Sequence, residues 1–436
     1  MADLLPVVPP STNTAAEADM PWDDDAPKAE KEDTLPEIIF EPEAEQVLKT
    51  LVPYYAETVL YAGFMQSAAS ELGARMTAMS SATDNASKLM KSTYIIGEIG
   101  QNHNGSVDIA KLIVDLVSRP VREEVFNLEL RPMDAVKMTK RDLNEELTDS
   151  QMNRPYDSPH SFGRTYGEHR AYLELTDEEH FEVYKHAKSL GLDFVETLCS
   201  KGCMSLLKLF TPDRLKVASR DLTNLPLLEV MAETRIPIIL STGMAGKKEL
   251  DDALEVITRY HNDISILHCV SQYPTQPDNL NLRTITYLKQ HYGQYHIGFS
   301  DHTIGIAAPV VAVGMGAEII EKHVTIDRRM KGTDQQGSLG PDGVNRMIRD
   351  IRIAEHWLGR EELYIDPAVS AAKVKLERSI ATNKALHPGD IITEEDIHLL
   401  SPGDGFKWAE RDKVVGRRVR KEIPRNEIIY PSLIEE

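Results

Sequence analysis

The chain has 436 residues, 41% hydrophobic and 27% charged, with a net charge of −20; this is an ordinary globular composition with room for two or three domains. It holds no run of about 18 apolar residues that would cross a membrane, and three cysteines, Cys199, Cys203 and Cys269, cannot build a disulfide framework. Residues 1–46 carry thirteen Asp and Glu against two Lys, a net −11, so the acidity belongs mainly to one end of the chain and argues against a nucleic-acid partner. That end also lacks the basic start and apolar core of a secretory leader, and a cytoplasmic protein is expected.

Residues 1–35 are rich in Pro, acid and small polar residues and are expected to be a disordered tail. Residues 36–91 turn Ala-, Met- and Leu-rich with helical spacing, which predicts one or two helices interrupted near Pro53. From 93 to about 326 short apolar runs alternate with helix-like stretches at 107–118, 176–190, 247–259 and 305–315. Eight such runs can be counted: 94–103, 134–140, 193–200, 215–221, 237–244, 264–273, 296–302 and 318–325. Continuous apolar strands separated by helices imply a parallel sheet. Eight of them favour an α/β fold of the (β/α)₈ TIM-barrel type over an open doubly wound sheet, with the barrel spanning 92–362. Residues 363–376 read as a linker. Turn signals at Pro388-Gly389-Asp390, Pro402-Gly403-Asp404-Gly405 and Pro424-Arg425-Asn426 make 377–436 a small β-rich domain.

Each run begins apolar and ends polar, and in a barrel the carboxyl ends of all strands open onto one face. His302 and His323 end the seventh and eighth runs. Neutral imidazoles there suit a catalytic divalent cation such as Mn²⁺ or Mg²⁺, although a single histidine near a strand end is more often a hydrogen-bonded core residue. Lys137 and Lys216 fit an anionic substrate or buried ion pairs. Glu98 and Asp221 could work as acid and base or merely partner those lysines. Ser219, Ser241, Thr242 and Ser300 could donate to phosphate oxygens or cap strands. The nucleotide loops G-x-G-x-x-G and G-x-x-x-x-G-K are missing from the strand–helix junctions.

The stretches "IIGEIGQNHNG", "RPYDSPHSFGRTYGEHRAYLELT", "LSTGM", "LHCVSQYPTQPDNLNL", "IGFSDHT", "EKHVTIDRRMKGTDQQGSL" and "SPGDGF" together resemble the sialic acid (N-acetylneuraminate) synthase family over residues 93–436. The resemblance implies a metal-dependent (β/α)₈ barrel followed by an antifreeze-like (SAF) domain. It implies condensation of phosphoenolpyruvate with an open-chain N-acyl hexosamine to a nine-carbon 2-keto sugar acid, with release of phosphate. By position, His302 and His323 match the family's Mn²⁺ ligands. Lys137, Thr197, Lys216, Ser219, Ser241, Ser271 and Ser300 match its phosphoenolpyruvate contacts. Glu98, Asp221 and His302 fall at its catalytic positions, and Tyr273 and Asp334 at its amino-sugar contacts. A domain-swapped homodimer is implied as well. The chain departs from the family at Ser401, where Arg is usual, and at Met138 and Thr139, expected to alter the floor of the site. The connection 118–133 is also longer than usual. A related synthase using another aldose is the competing reading. Residues 36–91 resemble the C-terminal region of the ATP synthase gamma subunit, without the partner helix of its coiled coil, so they read as an appended segment rather than a rotor shaft; a non-catalytic synthase-associated role is the reading they would carry.

Overall fold

A computed structural model describes residues 92–435 together with Lys49 and Tyr55; the expected acidic tail and most of the helical segment before 92 lie outside the described residues. The eight apolar runs form eight parallel strands closed into a barrel. They are β1 (Tyr94–Glu98), β4 (Ala135–Lys140), β5 (Asp193–Leu198), β6 (Arg214–Val217), β7 (Ile238–Ser241), β8 (Ile264–Cys269), β9 (His296–Asp301) and β10 (Ile319–His323). Chain order is preserved around the barrel, and β10 closes onto β1 with Tyr94 opposite Ile319. Two short strands, β2 (Val121–Glu123) and β3 (Leu128–Leu130), form an antiparallel hairpin within the long connection at 118–133. Several strands stop before the apolar run does, because turns take over: Gly100, past the end of β1, has φ +52°, a conformation that suits glycine.

Strand alternation sorts each run into two faces. One face packs outward against the helices in a large core that includes Ile95, Val136, Phe194, Ile266 and Ile320. The other face closes the barrel interior with an apolar plug of Ile96, Ala135, Val195, Ile239, Leu267 and Ile319. Gly298 of β9 sits at the level of this plug, and a Cβ there would press into the carbonyl oxygen of Ile319. Two residues further along these strands come Glu98, Lys137, Thr197, Ser241, Cys269, Ser300 and Glu321, all buried. The alternation that plugs the barrel therefore also erects a polar layer directly above the plug. Met138, on the opposite phase, packs into the outer core, so of the two altered residues of β4 only Thr139 reaches the interior.

Beyond the barrel the stretch expected as a linker contains a 3-10 turn, Pro367–Val369, and a short helix, Ser370–Leu376. The final domain pairs β11 (Ser379–Thr382) with β12 (Ile397–Leu400) in antiparallel register over a core of Ile380, Leu386, Ile392, Val414, Val419, Ile423 and Ile429. Among the described residues no helix is long and apolar enough to cross a membrane.

Candidate active site

A cavity of about 360 Å³ opens at the carboxyl ends of the barrel strands. It is lined by Glu98, Lys137, Thr197, Lys216, Ser219, Ser241, Ser271, Tyr273, Ser300, His302, His323 and Asp334, so twelve of the fourteen candidate positions converge on it, while Thr242, whose hydroxyl donates to the Leu267 carbonyl at 3.1 Å, does not reach it. Neither does Asp221. It sits in the 3-10 turn Ser219–Asp221 and pairs with Arg220 at 3.3 Å, outside the cavity wall. Burial raises its carboxyl pKa despite that guanidinium. The acid that stands in the polar layer with Glu98 is Glu321.

Glu321 joins the two lysines. Its Oε1 lies 3.7 Å from Lys137 Nζ and accepts from Ser300 Oγ at 2.9 Å, and its Oε2 lies 3.7 Å from Lys216 Nζ. Lys137 also meets Glu98 at 2.7 Å and donates to Thr197 Oγ1 at 3.2 Å, whereas Lys216 donates to Ser241 Oγ at 2.6 Å. The layer thus holds two cations and two carboxylates in a dry environment. Burial pulls both ammonium pKa values down. For Lys137 the charges of Glu321 and Glu98 outweigh it and the net shift is upward, while for Lys216 burial wins and the shift is downward. The two lysines hold Glu321 well below the usual carboxylate range.

One layer higher stand the two imidazoles, with ring centroids 5.7 Å apart. His302 Nδ1 is 2.8 Å from the carbonyl of Val270, which fixes the proton there, and Nε2 is 2.8 Å from the hydroxyl of Tyr273. Burial, and then the neighbouring His323, push its pKa down to about 3, so the ring is neutral at physiological pH. His323 Nδ1 is buried with no hydrogen-bond partner among the described residues. Gly100 keeps the space before it open, because a Cβ there would come within 3.4 Å of that nitrogen and 3.1 Å of Glu98 Oε1. No group of three or more His, Cys, Asp or Glu side chains forms a metal cage among the described residues. Two imidazoles side by side, one of them with an unpartnered nitrogen and open space before it, nevertheless fit a divalent cation whose remaining positions go to water and substrate oxygens.

Asp301 and Lys322 occupy the opposite phase of β9 and β10, directly behind these histidines. Each is 1% exposed and they pair at 2.6 Å. Asp301 also accepts from Thr303 N at 2.7 Å, and Lys322 donates to the Thr303 carbonyl, so the backbone just after His302 is tied down.

The NeuB family model matches residues 131–363, and the SAF domain model matches residues 377–435. The chain belongs to the NeuB family. The N-acetylneuraminate-9-phosphate synthase of Homo sapiens is 30% identical over 344 residues, covering 78% of this chain and 92% of that protein. The N,N'-diacetyllegionaminic acid synthase of Legionella pneumophila is 34% identical over 335 residues, covering 76% of this chain and 91% of its own. Among solved structures, the N-acetylneuraminic acid (sialic acid) synthetase of Leptospira borgpetersenii, in complex with citrate, superimposes with a TM-score of 0.53 at 28% identity over 64% of this chain and 90% of the other. The ATP synthase family model matches residues 2–96, in keeping with the gamma-subunit resemblance of the N-terminal segment.

Proposed function

We propose that this NeuB-family chain condenses phosphoenolpyruvate with an open-chain N-acyl hexosamine, giving a nine-carbon 2-keto sugar acid and inorganic phosphate. The observation that carries the reading is the buried layer of Lys137, Lys216, Glu98 and Glu321 directly beneath the imidazoles of His302 and His323. Lys137, Lys216 and the hydroxyls of Thr197, Ser219, Ser241, Ser271 and Ser300 hold the phosphate and carboxylate of phosphoenolpyruvate in a dry pocket, where charge-assisted hydrogen bonds are strongest. His302 and His323 would hold Mn²⁺ or Mg²⁺, which supplies Lewis-acid polarisation of the acceptor's aldehyde. Carbon 3 of phosphoenolpyruvate attacks that aldehyde carbon and forms the new carbon–carbon bond. Positive charge then develops on carbon 2, facing Glu98 and Glu321. Water adds there with Glu98 as the base, and the tetrahedral carbon breaks its bond to the phosphate oxygen, the lysines stabilising the departing anion. Tyr273 and Asp334, nearer the mouth, contact the amino sugar.

Purified protein supplied with Mn²⁺, phosphoenolpyruvate and N-acetylmannosamine or its relatives should release phosphate stoichiometrically with keto-acid product, and chelation should stop the reaction. No release with any N-acyl hexosamine, but release with another aldose, would transfer the reading to a related synthase.

The same reading makes the protein a homodimer in which the SAF domain of one copy covers the barrel mouth of the other. It is supported by the stretch ahead of that domain, where Leu363, Ile365, Val374 and Leu376 are all exposed apolar side chains. Sedimentation should give twice the chain mass; a monomer at micromolar concentration would remove this part of the proposal.

A further inference from the structure

The barrel has a second end. A hollow of about 640 Å³ lies at the amino ends of its strands, across the apolar plug from the active-site cavity. The alternation that erects the polar layer builds a floor here too. Two residues before the inward-facing Ile96, Val195, Lys216, Leu267 and Gly298 stand Tyr94, Asp193, Arg214, Ser265 and His296, and all five line the hollow. In such barrels chemistry belongs to the carboxyl-terminal face, and the opposite face ordinarily serves stability. Polar groups that serve stability find their partners within the protein, and at this floor two do not.

The acids of the hollow are matched. Asp134 pairs with Arg131 at 2.8 Å and with Arg352 at 3.0 Å, Asp193 accepts from the Tyr94 hydroxyl at 2.8 Å, and Glu318 lies 2.7 Å from His296 Nδ1. The unmatched groups are donors. Ser265 is 1% exposed and lies opposite Ile239 of the plug in the register of β7 and β8, and its hydroxyl has no hydrogen-bond partner among the described residues. The guanidinium of Arg214 rests over the Tyr94 ring, 5.3 Å from its centroid. Its buried Nε has no hydrogen-bond partner, and Asp263, at 3.9 Å, is the one carboxylate within ion-pair reach among the described residues. The ring supports the fork from its face and leaves the N–H groups in its plane for something else.

A buried donor without an acceptor is costly, and donors that line a hollow point to an acceptor carried by a ligand. Charge narrows the class. One guanidinium fork and one hydroxyl suit a carboxylate, whereas a doubly charged phosphate would meet Asp134, Asp193 and Glu318 around the same space. Those acids are acceptors for hydroxyl groups. We infer that the amino-terminal mouth of the barrel is a binding site for a small hydroxylated carboxylate, with Arg214 and Ser265 holding the carboxylate and Asp193 taking a hydroxyl. The nine-carbon keto sugar acid belongs to that class, and choosing it as the ligand rests on the synthase reading above. The plug keeps it away from the chemistry, so it binds here as an effector and not as a substrate.

The test is calorimetric titration of the full-length protein with N-acetylneuraminate and, separately, with its methyl ester, which keeps the hydroxyls and loses the charge. The native protein should bind the acid, and bind the ester about tenfold more weakly or worse. Arg214→Met and Ser265→Ala should each weaken binding of the acid by about tenfold or more and leave KM for phosphoenolpyruvate at the native value, because both residues lie across the plug from that substrate. Ser265→Ala should also melt no lower than the native protein, since it removes a buried hydroxyl that has no partner; its loss of binding is then not a loss of fold. No binding to the native protein, equal binding of acid and ester, or binding that either substitution leaves at the native level overturns the inference. A phosphate-release assay on the same sample keeps the two readings apart. Turnover without binding removes the site and leaves the synthase reading, and binding without turnover does the reverse.

Discussion

Replacing His302 with Ala is expected to lower kcat for phosphate release by about 1,000-fold or more while the protein stays folded. The two effects separate because of where the side chain sits. Its ring contacts the Val270 carbonyl and the Tyr273 hydroxyl at the cavity wall and fills no part of either hydrophobic cluster. The strand end beneath it is held by the Asp301–Lys322 pair and by main-chain bonds that the substitution leaves in place. The thermal midpoint should therefore correspond to a loss of no more than about 1 kcal/mol, and Mn²⁺ affinity, read by calorimetry, should fall with activity. Activity within tenfold of the native protein would remove His302 from the chemistry.

Glu321→Gln should be costly in both respects. The substitution keeps the shape of the side chain and its contact with Ser300, but it leaves Lys137 and Lys216 buried with Glu98 as the one remaining carboxylate of their layer. Removing one partner of a buried ion pair destabilises by about 3–5 kcal/mol, because the other charge stays behind without compensation. Chemical denaturation should show a loss of that order, and KM for phosphoenolpyruvate should rise together with a fall in kcat. Unchanged stability would mean that the lysines find other anions, and the network drawn here would be wrong.

The difference between these two residues is also a difference in what the sequence discloses. His302 ends an apolar run, and a polar residue at that point is visible without any structure. Glu321 lies inside the run "EIIEKHVT", where two glutamates compete and only the phase separates them: an inward His323 brings Glu321 inward and leaves Lys322 on the outer face. The same counting applies at β6. An inward Lys216 puts Ala218 on the cavity side, but the count ends there, and the 3-10 turn Ser219–Asp221 rather than strand phase leaves Asp221 off the cavity. Ser219 escapes the rule because the 3-10 turn that begins there resets the phase. Arg170, on the cavity wall, was not legible by any such count. It lies on the helix Tyr166–Leu173, and what brings that helix to the mouth is the path of the whole excursion from 141 to 175 rather than a local pattern. The eight strands were legible because parallel strands buried on both faces read as continuous apolar runs.

The plug and the tiers above it share one arithmetic, and that arithmetic constrains how such a chain can change over generations. Dropping or adding one residue inside a barrel strand would send its plug residue, its polar residue and its mouth residue to the outer face at a single stroke, against the helices. Point replacements are absorbed one tier at a time, but a change of length in a strand is not. Growth is admissible where the chain runs from a helix back to the next strand, at the end of the barrel away from the cavity, and the hairpin of β2 and β3 lies in such a connection, with Val125 and Phe126 at its exposed tip. The one place where this chain is longer than its resemblance led us to expect is thus a place where added length leaves the phase of every inward-facing residue untouched.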